Sequence, residues 1–166
     1  MSTQHTIFGS LSDYTKGSIE IVDDNPKHYA FSNLFEVASR SAPYEKVAVA
    51  LNLGYVIEAV RLEGQSGWYA APHDEFAIVM DGEVEVELVK LPDPAAVYGG
   101  DSRGSIALGE RPVGVKMGRV VARRGHQVLL PEGSAYRFTA RVVGVMLLQT
   151  MDGPCTVHKW ADICLS

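Results

Sequence analysis

The chain has 166 residues, 46% of them hydrophobic and 21% charged, a length and balance that suit one folded core and exclude disorder as its main state. Its formal net charge of −5 excludes a general nucleic-acid binder, which needs clustered Lys and Arg to meet phosphates. The longest basic feature, Ala122-Arg123-Arg124-Gly125-His126, reads as a solvated turn.

No apolar run is long enough for a transmembrane helix, and the opening MSTQHTIFGSLSDYTKG lacks the basic and apolar regions of a signal peptide. Cys155 and Cys164 both fall near the C-terminus, beside Trp160, and read as buried free thiols rather than a disulfide framework. A cytoplasmic protein is expected.

Residues 1–24 read as a polar arm. Asn25-Pro26 supplies an N-cap and a first helical residue, and Ala30, Phe31, Leu34, Phe35, Val37 and Ala38 carry a helical stripe to about Arg40. From Lys46 the period changes to two. Val47, Val49, Leu51 and Leu53 alternate with smaller or polar residues, Gly54 interrupts, and Tyr55 to Leu62 forms the next strand. The stretch PHDEFAIVMDGEVEVELV, residues 72–89, reads as a hairpin with its tight turn at Asp81-Gly82. Residues 91–118 are rich in Gly and Pro and read as a long loop. Strands resume at Arg119 to Ala122, His126 to Leu130 and Tyr136 to Met151. The division expected is an arm and helix over 1–44, then a β-barrel with a C-terminal extension over 45–166. Short strands, Gly/Pro turns and one early helix suggest a sandwich or small barrel.

Two stretches sharpen the class. GQSGWYAAPHDEFAIVMDGEVEV, from Gly64, and GHQVLLPEGSAY, residues 125–136, resemble the paired motifs of the cupin superfamily. Glu75 and Gly82 have the first motif's separation, and Gly125, Pro131 and Gly133 match the second. The resemblance implies a mainly β fold, a cupin-type jelly-roll barrel with an N-terminal arm and short helix.

The metal ligands of that motif are missing. Its histidine positions hold Tyr69, Ala71 and Tyr136, and only the carboxylate, Glu75, remains. A ferrous or zinc site needs about three good protein donors, so no metal is expected here. His73 shares a strand face with Glu75 by alternation and could join it on a metal, but such a pair is more often a polar contact at a pocket mouth. Tyr69, Glu75 and Tyr136 could suit ferric iron, which would colour the protein; the simpler reading is amphipathic filler. His126 sits in a turn, and His5, His28 and His158 have no ligand-like spacing.

The run from His73 to Val86, Arg123-Arg124-Gly125-His126-Gln127 with Leu130-Pro131, and the end Lys159 to Cys164 resemble the small subunit of two-component hydroquinone 1,2-dioxygenases. That resemblance implies a heterotetramer, two of each chain, in which a larger cupin subunit holds Fe(II). The complex opens hydroquinone with O2 to 4-hydroxymuconic semialdehyde in 4-nitrophenol-type degradation. The chain itself would bind no cofactor and carry no catalytic residue, would be inactive alone, and would reach phenol and O2 only through its partner. Trp68, Tyr69, His73, Asp74 and Tyr136 are candidate pocket-wall residues, each with a plain structural reading beside it. Alternation over His73 to Met80 puts Phe76, Ile78 and Met80 on an apolar second face, which either the early helix or a partner subunit must cover. Two other readings stand beside this one: a free-standing metal-free cupin enzyme such as an isomerase, and a small-molecule binding module.

Overall fold

A computed structural model of the chain describes residues 9–14, 33–100 and 103–164, without the side chains of Ala161 and Cys164. Nine strands dominate: β1 (Lys46–Asn52), β2 (Tyr55–Ala70), β3 (Glu75–Asp81), β4 (Glu83–Lys90), β5 (Ile106–Leu108), β6 (Val115–Arg123), β7 (Gln127–Leu130), β8 (Ser134–Met151) and β9 (Thr156–Val157). Three short helices accompany them: α1 (Leu34–Ser39), α2 (Pro94–Tyr98) and α3 (Trp160–Cys164).

Two long strands organise the barrel. β2 and β8 are antiparallel partners from Tyr55↔Met151 to Ala70↔Ala135, with irregularities at Leu62/Gly64 and Gln65/Trp68 where both bend. Their first shared half carries β1 and β9 on one side and β3 and β7 on the other, giving the order β9-β1-β2-β8-β3-β7. Their second half carries β5 and then β4 and β6, in the order β5-β2-β8-β4-β6. The two sheets share their bent central strands and face each other across a core of Val60, Leu62, Val79, Val86, Phe138 and Leu148. This is the jelly-roll barrel that the motifs imply.

Alternation builds the inner face. In β4, Val84, Val86 and Leu88 point into the core, while Glu83 and Glu85 point outward to Arg123 and Arg119 of β6.

Three sequence expectations change. First, Asp81-Gly82 is no hairpin. β3 pairs with the far half of β8 (Phe76↔Gln149 to Asp81↔Val145) and β4 continues in the same direction along its near half (Glu85↔Thr139 to Lys90↔Ser134). Gly82, at φ 78°, is a corner where the chain passes from one sheet to the other. Second, α1 begins at Leu34, where Asn33 in extended conformation accepts hydrogen bonds from Phe35 N and Glu36 N; the expected start at Asn25-Pro26 lies outside the described residues. Third, the expected loop over 91–118 contains α2, with Asp93 as its N-cap, then β5 and the first residues of β6.

Outside the barrel, α1 and α3 cover Val47, Val49 and Ala59 through Val37, Trp160 and Ile163. Tyr44, at the end of the expected arm, already belongs to the barrel core: its ring stacks on Phe138 and its hydroxyl donates to Gly64 O at 2.7 Å. No helix of the described residues is long and apolar enough to cross a membrane.

Candidate functional site

The positions that the cupin motif assigns to metal ligands do converge. Tyr69 and Tyr136 are direct cross-strand partners on β2 and β8, with ring centroids 5.9 Å apart. Glu75, at the start of β3, lies beneath them, fully buried. The Tyr136 hydroxyl donates to Glu75 Oε2, and Ser105 Oγ donates to Glu75 Oε1 at 2.5 Å. Ala71 is buried and offers no donor.

Both carboxyl oxygens of Glu75 are therefore engaged by side chains of the chain itself. Ser105 reaches the site because Gly104 runs against the end of β8, where a Cβ would lie 2.3 Å from Met151 O. Only a glycine permits that approach.

Two further charged residues share the interior. Lys46, on β1, is buried; its Nζ donates to the Tyr136 hydroxyl at 3.4 Å and lies 4.1 Å from the centre of the Tyr69 ring, a cation–π contact. Glu58, on β2, accepts from Thr156 Oγ1 at 2.7 Å, while its Oε2 has no hydrogen-bond partner among the described residues. Burial raises its pKa from 4.5 to about 7 despite the opposing charge of Lys46. Burial, with the Glu75 charge added, holds the Tyr136 phenol well above 10. It also raises the Tyr69 phenol and the half-buried free thiol of Cys155. The site is thus a closed polar cluster with one ammonium, two carboxyls and phenols held protonated.

The residues do not fit a metal. Among the described residues no three His, Cys, Asp or Glu gather as a ligand set. His73 does not join Glu75: its Nε2 lies 3.1 Å from Thr150 Oγ1, and its buried Nδ1 has no hydrogen-bond partner among the described residues. The burial that keeps the Tyr136 phenol protonated opposes phenolate ligation.

The candidate wall residues separate. Tyr69, His73 and Tyr136 face the interior. Trp68 does not: the bulge before it turns its side chain to the outer face, where it is buried with Ala70, Val89 and Tyr98 and lies 4.8 Å from the Arg137 guanidinium. Asp74 is exposed and accepts from Glu132 N at 2.8 Å, tying the β7–β8 turn to the start of β3. Phe76, Ile78 and Met80 lie on the outer face as alternation predicts, the first and last half-buried and Ile78 exposed. Of the early helix, the described part, α1, packs mainly on β1, β2 and α3.

Lys46, Glu58 and Ser105 escaped the sequence reading. Glu58 had a signal, being a charge in phase with Val56, Val60 and Leu62 on a core-facing strand. Lys46 stands likewise in phase with Ala48. Ser105 lies in a loop-like stretch and had none.

No protein-family model matches the chain. A trigger factor from Pseudarthrobacter chlorophenolicus is 36% identical over 58 residues, covering 35% of this chain and only 12% of that protein, too little to indicate kinship. Solved structures say far more. A chain of hydroquinone 1,2-dioxygenase PnpCD, in complex with Cd2+ and 4-hydroxybenzonitrile, is 57% identical, with 99% of this chain and 98% of that one covered and a TM-score of 0.85. A chain of hydroquinone 1,2-dioxygenase from Sphingomonas sp. TTNP3, with 4-hydroxybenzoate bound, is 53% identical, with 98% of each chain covered and a TM-score of 0.87. PnpCD, in complex with Fe3+, also contains a longer chain of the same fold: it is 13% identical, 40% of it is covered by 87% of this chain, and the TM-score is 0.60. The enzyme therefore combines a chain like this one with a larger partner. The end-to-end identity places this chain in the hydroquinone 1,2-dioxygenase family of cupin-fold dioxygenases.

Proposed function

We propose that this chain is the smaller, metal-free subunit of an Fe(II)-dependent dioxygenase that opens hydroquinone to 4-hydroxymuconic semialdehyde in the degradation of 4-nitrophenol-type aromatics. The observation that carries this reading is the closure of the motif site, where Tyr136 and Ser105 occupy both oxygens of Glu75. A barrel of this family whose own site is filled serves the reaction through a second chain, and PnpCD has a longer one of the same fold. The ligands of the relatives, 4-hydroxybenzonitrile and 4-hydroxybenzoate, are para-substituted phenols, as hydroquinone is.

No step of the iron chemistry runs through this chain. It stabilises the larger subunit, in a complex with two of each chain, and contributes a wall through Tyr69 and His73, the half-buried members of the candidate set. The test is to purify the chain alone and together with the longer cupin-fold chain of its own organism, load each anaerobically with Fe(II), and follow semialdehyde formation and iron content. Ring opening and bound iron are expected only when the longer chain is present. One tightly held iron per isolated chain, lost on substituting His73 and Glu75, would overturn the reading.

A further inference from the structure

We propose that residues 152–157 are a strap that closes the polar interior of the barrel and is released when Glu58 becomes charged, admitting water to the cluster. The strap is fixed at both ends and lightly held between them. Where β8 ends, Asp152 N donates to Gly54 O at 2.8 Å. Beyond the strap, Lys159 Nζ meets Glu45 Oε2 at 2.6 Å, and Trp160 and Ile163 are buried with Val37 and Val47. Between these anchors β9 is two residues long and pairs with β1 alone among the described strands. None of residues 152–157 is fully buried. Short pairing and little burial mark a segment that opens below the free energy of global unfolding.

One hydroxyl joins the strap to the interior. Thr156 Oγ1 accepts from Gly153 N at 3.2 Å and donates to Glu58 Oε1 at 2.7 Å. Glu58 is fully buried, and its Oε2 has no hydrogen-bond partner among the described residues. A protonated carboxyl is tolerated there, whereas a carboxylate with a single donor lacks the solvation its charge requires. Lys46 of β1 favours the charge; Glu75 of β3 and Asp152 of the strap oppose it. Tyr69 of β2, Tyr136 of β8 and Cys155 of the strap also share this interior, and burial holds all three protonated. Burial outweighs Lys46 and sets Glu58 at about 7 with the strap closed. Release of the strap hydrates the carboxyl and returns it toward 4.5. Opening therefore becomes easier as pH rises above 4.5, and levels off above about 7.

The test is alkylation of the full chain carrying Cys164→Ser, which leaves Cys155, in the middle of the strap, as the single thiol. Rates with iodoacetamide from pH 5.5 to 8 are divided at each pH by the rate in denaturant, which removes the thiol's own ionisation. With Glu58 present the quotient is expected to rise on the order of tenfold or more, and with Glu58→Gln to stay flat. Thr156→Val keeps the carboxyl but removes its bond to the strap, and should raise the quotient at every pH. Hydrogen exchange separates local from global opening: amides of residues 155–157 should be less protected than those of β4 and β8 and insensitive to low urea. A quotient independent of pH, or a rise that persists with Glu58→Gln, would overturn the proposal. So would strap amides that share the protection and urea dependence of the core, because the opening would then be unfolding of the whole chain. If Glu58→Gln does not fold, Thr156→Val decides, and a quotient equal to that of the parent chain sinks the strap.

Discussion

Glu75 keeps the place of the cupin carboxylate and turns both oxygens toward its own chain. Removing the Tyr136 hydroxyl leaves a fully buried acceptor without its donor, which costs about 1–3 kcal/mol. Tyr136→Phe should accordingly lower the urea midpoint, and by less when Glu75→Gln is already present. Equal losses in both backgrounds would show that the hydrogen bond contributes nothing. Glu58 makes a pH prediction whose sign follows from its raised pKa. Between 4.5 and about 7 the folded chain keeps a proton that the unfolded chain releases. Its contribution is therefore complete below the unfolded value and is lost as pH rises through about 7, on the order of 3 kcal/mol in total. Denaturant titrations from pH 4.5 to 8 should show this decline in the wild type and a flatter profile in Glu58→Gln.

The strand elements depend on one crossing. Where β3 hands over to β4 at Gly82, β8 bends through Arg141 to Gly144, and the two bends touch. A Cβ on Gly144 would lie 2.5 Å from Asp81 O, and one on Gly82 would lie 3.0 Å from Gly144 Cα at a φ that favours glycine. Asp81 fastens the corner by accepting from Arg124 Nη2 at 2.6 Å and Gly82 N at 3.0 Å. Gly144→Ala should destabilise the chain by about 1–3 kcal/mol, because backbone cannot yield as a flexible side chain does. Gly67→Ala, with nothing within 4 Å of the added carbon, is the matched control and should change the melting temperature little. Similar effects at both sites would deny the crossing its role.

At the scale of the molecule, the barrel hides its polar cluster and leaves apolar surface outside. On the outer face of the first sheet, Ile57, Ile78 and Leu129 are exposed beside half-buried Phe76. Singly exposed apolar residues need no explanation, but a contiguous set marks a contact surface. Ile78→Asp should leave the isolated chain folded, since the side chain already meets solvent, and should abolish co-purification with the longer chain and ring cleavage with it. Unfolding of the variant, judged by circular dichroism at low temperature, would instead assign this face to the chain's own stability.

Alternation and turn residues pointed to a sandwich or small barrel, and the resemblance of two motifs to those of the cupin superfamily implied the jelly roll and the loss of its histidines. Those features are local: inward parity, a positive φ at Gly82, Gly125 and Gly133, and the identity of the residue at each motif position. What joins Lys46, Glu58, Ser105 and Tyr136 is not local. Three strands, β1, β2 and β8, and the segment before β5 must come together first, and a bulge of one residue before Trp68 reverses which side chain faces inward. The same limit explains the Asp81-Gly82 corner, which has the sequence of a hairpin turn. The choice between folding back and continuing was made by β8, some sixty residues later, which offers pairing partners to both strands along its bent length.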